Sequence, residues 1–285
     1  AHYSNGTTRD VTRIATYEPN TIEMAGATTT GLISTADIPG DVAIMVRFQS
    51  QVAVFRANIP LGIKFTSLPP QRTLVDKHVF AKLQKLGIPP SELCDDATFI
   101  RRVTSDIAGR LPTADEARTF IADKDATKRD KLIDTLLDGP GYADYFANKW
   151  ANVLRNKRVN ANDIPYTFRF HNWIRQALKE NMPYDEFVRN ILAASGNSES
   201  HPPTAWFKVV SSSMTQMEDT AQLFLGMRIQ CARCHHHPFE KWSQNDYYSF
   251  EAFFKQVGLK PSKFALNNAR DTVYHRDGIA VSRNP

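Results

Sequence analysis

The chain has 285 residues, a formal charge of +5, 42% hydrophobic and 23% charged residues, a balance ordinary for a soluble globular protein with room for two domains. No run reaches the roughly 18 apolar residues of a membrane span. There is no block of five Lys or Arg and no nucleic-acid motif, so the charge reads as a solvated surface and nucleic acid is not an expected partner.

The first sixty residues read as β-structure, a module over 1–60 with four Arg, five acids and a net charge of −1, which leaves +6 on residues 61–285. "DVAIMVRF" and "QVAVFRANI" are β-branched and aromatic runs of strand length, preceded by the turn "DIPGD". "TRIATYE" and "GLISTA" are candidate earlier strands, fewer in all than the seven or so of an immunoglobulin-like sandwich. Proline-rich sequence from 58 to 72 follows, with the linker set at 61–72.

Helical periodicity then runs over 73–257. "TLVDKHVFAKLQKLG" sets Leu74, Val79, Leu83 and Leu86 on one face and stops at Gly87. "DDATFIRRVTSDIAG" has Asp caps, the apolar set Phe99, Ile100, Val103 and Ile107, and a terminal Gly109. Thr113 and Glu116 make a capping box. Further helices are predicted at 127–138, 142–155, 166–181, 184–194, 214–230 and 244–256, and residues 258–285 form a mixed C-terminal extension. With no initiator Met and no signal peptide, the sequence reads as a piece of a longer chain.

Three cysteines are too few for a disulfide framework, and two of them sit in "CARCHHHPFEKW". By the chain's own composition, Cys-x-x-Cys-His arises by chance about once in a thousand such sequences. Haem attachment needs two thiols for two thioethers and an adjacent imidazole for the iron, which assigns Cys231 and Cys234 as anchors and His235 as axial ligand. A zinc site wants a second ligand pair that the sequence does not offer, and a thioredoxin-like motif wants a preceding strand where "TAQLFLGMRIQ" reads as helix. Both stay open as alternatives.

One of His236 and His237 reads as a surface or hydrogen-bonding residue at the helix end, and Pro238 as a helix stop. Phe239, Trp242, Tyr247, Tyr248, Phe250, Phe253 and Phe254 suit a haem wall or an ordinary helical core. Arg228, Arg233 and Lys241 are candidate propionate partners. His78, His171, Met182 and His201 are candidates for the opposite face of the iron, none of them singled out by a motif. Cys94 reads as a small hydrophobe outside any disulfide.

"FIRRVTSDIAGRLPTADEARTFIADKDATKRDKLIDTLL", "CARCHHHPFEKW" and "NDYYSFEAFF" resemble the large cytochrome-like surface proteins of planctomycete bacteria, with their Cys-x-x-Cys-His-x-His-Pro-Phe signature. "TRDVTRIATYEPN" through "FRANIPLG" resembles the bacterial immunoglobulin-like domain that often precedes it. The resemblance implies an extracytoplasmic protein at the periplasm or cell surface. His237 and Pro238 carry over as signature positions without a role. The expected fold is therefore mainly α: an all-α haem-binding domain with an N-terminal immunoglobulin-like β module and one covalent haem c. The expected function is electron transfer to a redox partner protein or surface component. A haem enzyme with an open distal site, or a surface protein stapled by haem or metal, are the other expectations.

Overall fold

The computed structural model describes residues 1–49, 51–65, 67–158, 164–235, 242–261 and 270–276. They fall into two compact units, one over Ala1–Leu93 and one from Cys94 onward.

In the first unit, β1 (Thr16–Pro19), β4 (Gly40–Phe48) and β5 (Gln51–Ile59) form an antiparallel sheet in the order β1-β4-β5. The β4–β5 pairing runs from Gly40↔Ile59 to Phe48↔Gln51. A separate ribbon joins β2 (Ala25–Ala27) to β3 (Ile33–Thr35). Alternation along β4 turns Val42 and Ile44 inward, where they meet Ala25 and Ile59 in a small buried cluster. Helix α1 (Leu74–Leu86) starts on a Thr73–Asp76 capping box and ends at Gly87, whose φ of +63° suits a residue without a Cβ. Asp41 on β4 accepts from both Asn58 and Lys82, which ties α1 to the sheet. Among the described residues the module has five strands, three in one sheet and two in a ribbon, short of a seven-stranded sandwich, as expected of an incomplete module.

The second unit opens with α2 (Asp96–Ala108), α3 (Ala114–Ala122), α4 (Lys128–Asp138) and α5 (Pro140–Val153). Asp95 caps α2, and the Thr113–Glu116 box caps α3. Then come α6 (Ile164–Lys179), α7 (Tyr184–Leu192), β6 (Gly196–Asn197), α8 (Ala205–Val209), α9 (Ser213–Phe224) and α10 (Gln244–Phe254). Two strands, β7 (Val257–Pro261) and β8 (Arg270–His275), complete it. The main core gathers Leu154, Phe170, Ile174, Phe187, Ile191, Trp206 and Phe207 from α5 to α8. Within it Trp173 stacks on both Phe170 and Phe187.

The second unit is not all-α. Among the described residues 48% are helix and 16% strand, and β6, β8 and β7 form a three-stranded antiparallel sheet against the helices. The reason lies in a short period-two pattern: Val257, Leu259 and Val273 all pack on the main core, with Val273 buried. His275 shares their side of the strand and approaches the Ala194 carbonyl at 3.2 Å. Five or six alternating residues bury too little to declare themselves locally, and the β6 partner of β8 lies far away in sequence.

Candidate functional site

The segment that carries the cysteines is set by how α9 stops. Ser212 caps its start by accepting from the Thr215 amide. Past Phe224 the chain turns at Gly226 (φ +67°), and the Met227 amide reaches back to the Ala221 carbonyl at 2.9 Å. The helix predicted to run to 230 therefore ends one and a half turns early, at a glycine that takes a left-handed conformation most residues avoid.

Ile229 and Ala232 are then buried in a second core with Met217, Ala221, Tyr247 and Phe254. Between and beyond them Gln230–Arg233 forms a 3₁₀ turn. Cys231 lies inside this turn and Cys234, in a helical backbone conformation, caps its end. Ala232 points inward with no exposure, while Cys231, Arg233, Cys234 and His235 are exposed. All three cysteines of the chain are free thiols, and Cys94 is half-buried at the start of α2.

Helix α10 holds this turn from the other side. The Arg233 carbonyl accepts from Gln244 Nε2 at 3.0 Å and from Tyr248 Oη at 3.2 Å. Ser243 and Asp246 form the capping box that starts α10, with Ser243 N to Asp246 Oδ2 at 2.8 Å. Tyr247, fully buried, donates its hydroxyl to Glu218 of α9 at 2.6 Å. Burial pushes the Tyr247 hydroxyl pKa up, and the facing Glu218 carboxylate adds to the shift.

The other expected site residues are dispersed. His171 Nε2 lies 3.1 Å from Asn148 Oδ1, and His201 Nδ1 lies 3.0 Å from Ser200 Oγ. Met182 packs against the main core and its sulfur accepts from Asn190 at 3.7 Å. His78 is exposed on α1, in the first unit. Among the described residues no group of three His, Cys, Asp or Glu could hold a metal ion. His236, His237, Pro238, Phe239 and Lys241 lie outside the described residues. Of the aromatic residues, Tyr247 and Phe254 belong to the buried core, Trp242, Tyr248 and Phe250 pack at its edge, and Phe253 is 68% exposed. Arg228 is exposed.

Two free, exposed thiols three residues apart, with an imidazole one residue on, are the donor types that covalent haem attachment uses. A family model described as a protein of unknown function (PSCyt2, DUF1549) matches residues 74–258, more than half of the chain.

The chain belongs to the PSCyt2 family.

The match begins at α1 and ends inside β7, so it contains Cys231, Cys234 and His235 and leaves out the N-terminal sheet. The PSCyt2 domain is a planctomycete-type domain whose description assigns no activity. No curated protein and no solved structure matches the chain. No helix among the described residues is long and apolar enough to cross a membrane.

Proposed function

We propose that this PSCyt2 chain is an extracytoplasmic c-type haem protein that carries electrons, in keeping with its resemblance to planctomycete cytochrome-like surface proteins. One observation carries the reading: Cys231 and Cys234 are free, exposed and three residues apart on a 3₁₀ turn, with exposed His235 next in the chain. The two thiols would bind haem c through thioethers, and the neutral His235 imidazole would give its lone pair to the iron. Bound there, haem would supply one-electron exchange between ferric and ferrous states.

The chain's own contribution is position. Ala232 anchors the turn in the core while the Arg233 carbonyl is fixed by Gln244 and Tyr248, so the thiols and imidazole are presented by backbone tied at two places. A redox partner protein or surface component is the expected recipient of the electron.

The test is mass spectrometry of the denatured chain, produced in cells with an active cytochrome c maturation system. One haem should remain on the peptide spanning Cys231 to His235, and Cys231→Ala with Cys234→Ala should abolish it. Bound zinc with unmodified thiols would overturn the reading.

A further inference from the structure

Helices α5, α6 and α7 meet around a cavity of about 120 Å³ that is walled by aromatic rings. Tyr142 and Trp150 reach it from α5, and Tyr184 and Phe187 from the first turn of α7. Asn181 takes a left-handed conformation at φ +49°, which an Asn tolerates, and so ends α6 and carries the chain across to α7. The rings are tilted rather than stacked: Trp150 lies 5.3 Å from Phe187 at 58° and 6.2 Å from Tyr184 at 42°. Rings set at such angles make adjoining walls with a corner between them. Phe187 is buried and held by its stack on Trp173, while Tyr184 is 52% exposed, so the cavity runs from a fixed floor to an open rim.

The described lining holds no Lys, Arg, Asp or Glu. Lys149, the only cation of α5, lies over Tyr145 and Phe146 instead, at 4.3 and 5.3 Å from their centres. Among the described residues no Lys or Arg stands over any of the four cavity rings. Ala177 and Leu178, in the last turn of α6, line another side, where the carbonyl end of a helix favours positive charge. The facing N-terminus of α7 has the opposite polarity, which Asp185 and Glu186 in its first turn offset.

We propose that this cavity binds a quaternary ammonium head group, with the remainder of the ligand outside. Aromatic faces attract a cation, and a quaternary ammonium carries its charge on methyl groups that need no hydrogen-bond acceptor. A primary ammonium is more strongly hydrated and gives up more on entering walls that are mostly apolar. The volume is well below the roughly 300–1,000 Å³ of sites that enclose a whole small molecule, which limits the occupant to a head group. None of these residues belongs to the cysteine turn, so the assignment does not depend on haem.

The experiment is calorimetric titration of the full chain with three matched probes at constant ionic strength. Choline has both charge and methyl groups, 3,3-dimethylbutan-1-ol has its shape without the charge, and ethanolamine has the charge without the methyls. Choline should bind with millimolar affinity or better, and each of the others about tenfold more weakly. Tyr184→Leu and Tyr142→Leu, both at the rim, should each weaken choline about fivefold and leave the neutral probe unchanged. Absent choline binding, equal binding of the neutral probe, or an unchanged choline affinity in both variants would each overturn the proposal. Vesicles of phosphatidylcholine then distinguish the two sources of such a group. Sedimentation with them that choline reverses assigns a lipid head group, and choline binding without sedimentation assigns a free solute.

Discussion

Arg155 and Asp219 meet across α5 and α9, with Arg155 Nη2 donating to Asp219 Oδ1 at 2.7 Å. Both ends of the contact carry a cost. Asp219 is 8% exposed, its Oδ2 has no hydrogen-bond partner, and burial raises its pKa despite the facing guanidinium. Arg155 follows α5 at φ +55°, where the Asn156 amide closes back on the Ala151 carbonyl at 2.7 Å. That is the position where glycine usually ends a helix.

The pair should therefore behave as a coupled unit. Arg155→Gly relieves about 1 kcal/mol of backbone strain, yet it strands a buried carboxylate and should be destabilising by about 1–2 kcal/mol net. In the Asp219→Asn background the same change should become neutral or stabilising. Urea unfolding of the four proteins measures the non-additivity, and additive effects would remove the coupling. The pH dependence has a definite sign. Because Asp219 holds its proton more tightly folded than unfolded, the wild type should lose stability relative to Asp219→Asn as pH rises from the ordinary value of 3.8.

Glu116 has the opposite sign. Arg110 grips it with two hydrogen bonds, at 2.7 and 2.8 Å, and the Thr113 amide adds a third at 2.7 Å. Those contacts, Arg110 foremost, hold its pKa down at about 2. A depressed carboxylate adds stability above its unfolded value of 4.5, and that share is lost as pH falls toward about 2. The side chain is 44% exposed, so screening keeps the effect small. Glu116→Gln should cost about 1 kcal/mol at neutral pH and flatten acid unfolding over that window, as followed by circular dichroism.

Gly109 closes α2 at φ +67°, with Tyr145 of α5 directly over it. A Cβ there would stand 2.1 Å from Tyr145 Cδ2. Gly109→Ala combines a left-handed backbone with displacement of an aromatic ring, so a loss of about 2–4 kcal/mol is expected in urea titration. A loss below about 1 kcal/mol would show that the ring moves freely.

The chain should contain two fast thiols and one slow one. Cys231 and Cys234 are exposed, while Cys94 is half-buried and its carbonyl accepts from Arg129 at 2.8 Å. Timed labelling with a thiol reagent should modify Cys231 and Cys234 first, read by peptide mapping. Labelling of Cys94 at the same rate would contradict this order.

Local signals carried much of the helical architecture. Asp95 and Gly109 bracket α2, the Thr113–Glu116 box opens α3, and Ser243 opens α10, because caps and periodicity act over a few residues. Gly226 was an equally local signal for the end of α9, outweighed by the apolar run around it. The sheet β6-β8-β7 was not legible in the same way, since it depends on pairing Gly196 with Val273 across the whole helical core. The spacing of Cys231, Cys234 and His235 was legible in the sequence, while the 3₁₀ form of the turn was not.

The Arg233 carbonyl takes both of its side-chain donors from Gln244 and Tyr248, which follow it in the chain. Synthesis runs from the N-terminus, so the two thiols leave the ribosome before the residues that fix their turn. Until α10 has formed, Cys231 and Cys234 sit on a pliable peptide. Once α10 has formed, the same atoms stand on a braced corner. Reagents that reach the two thiols before and after α10 forms therefore meet two different backbones.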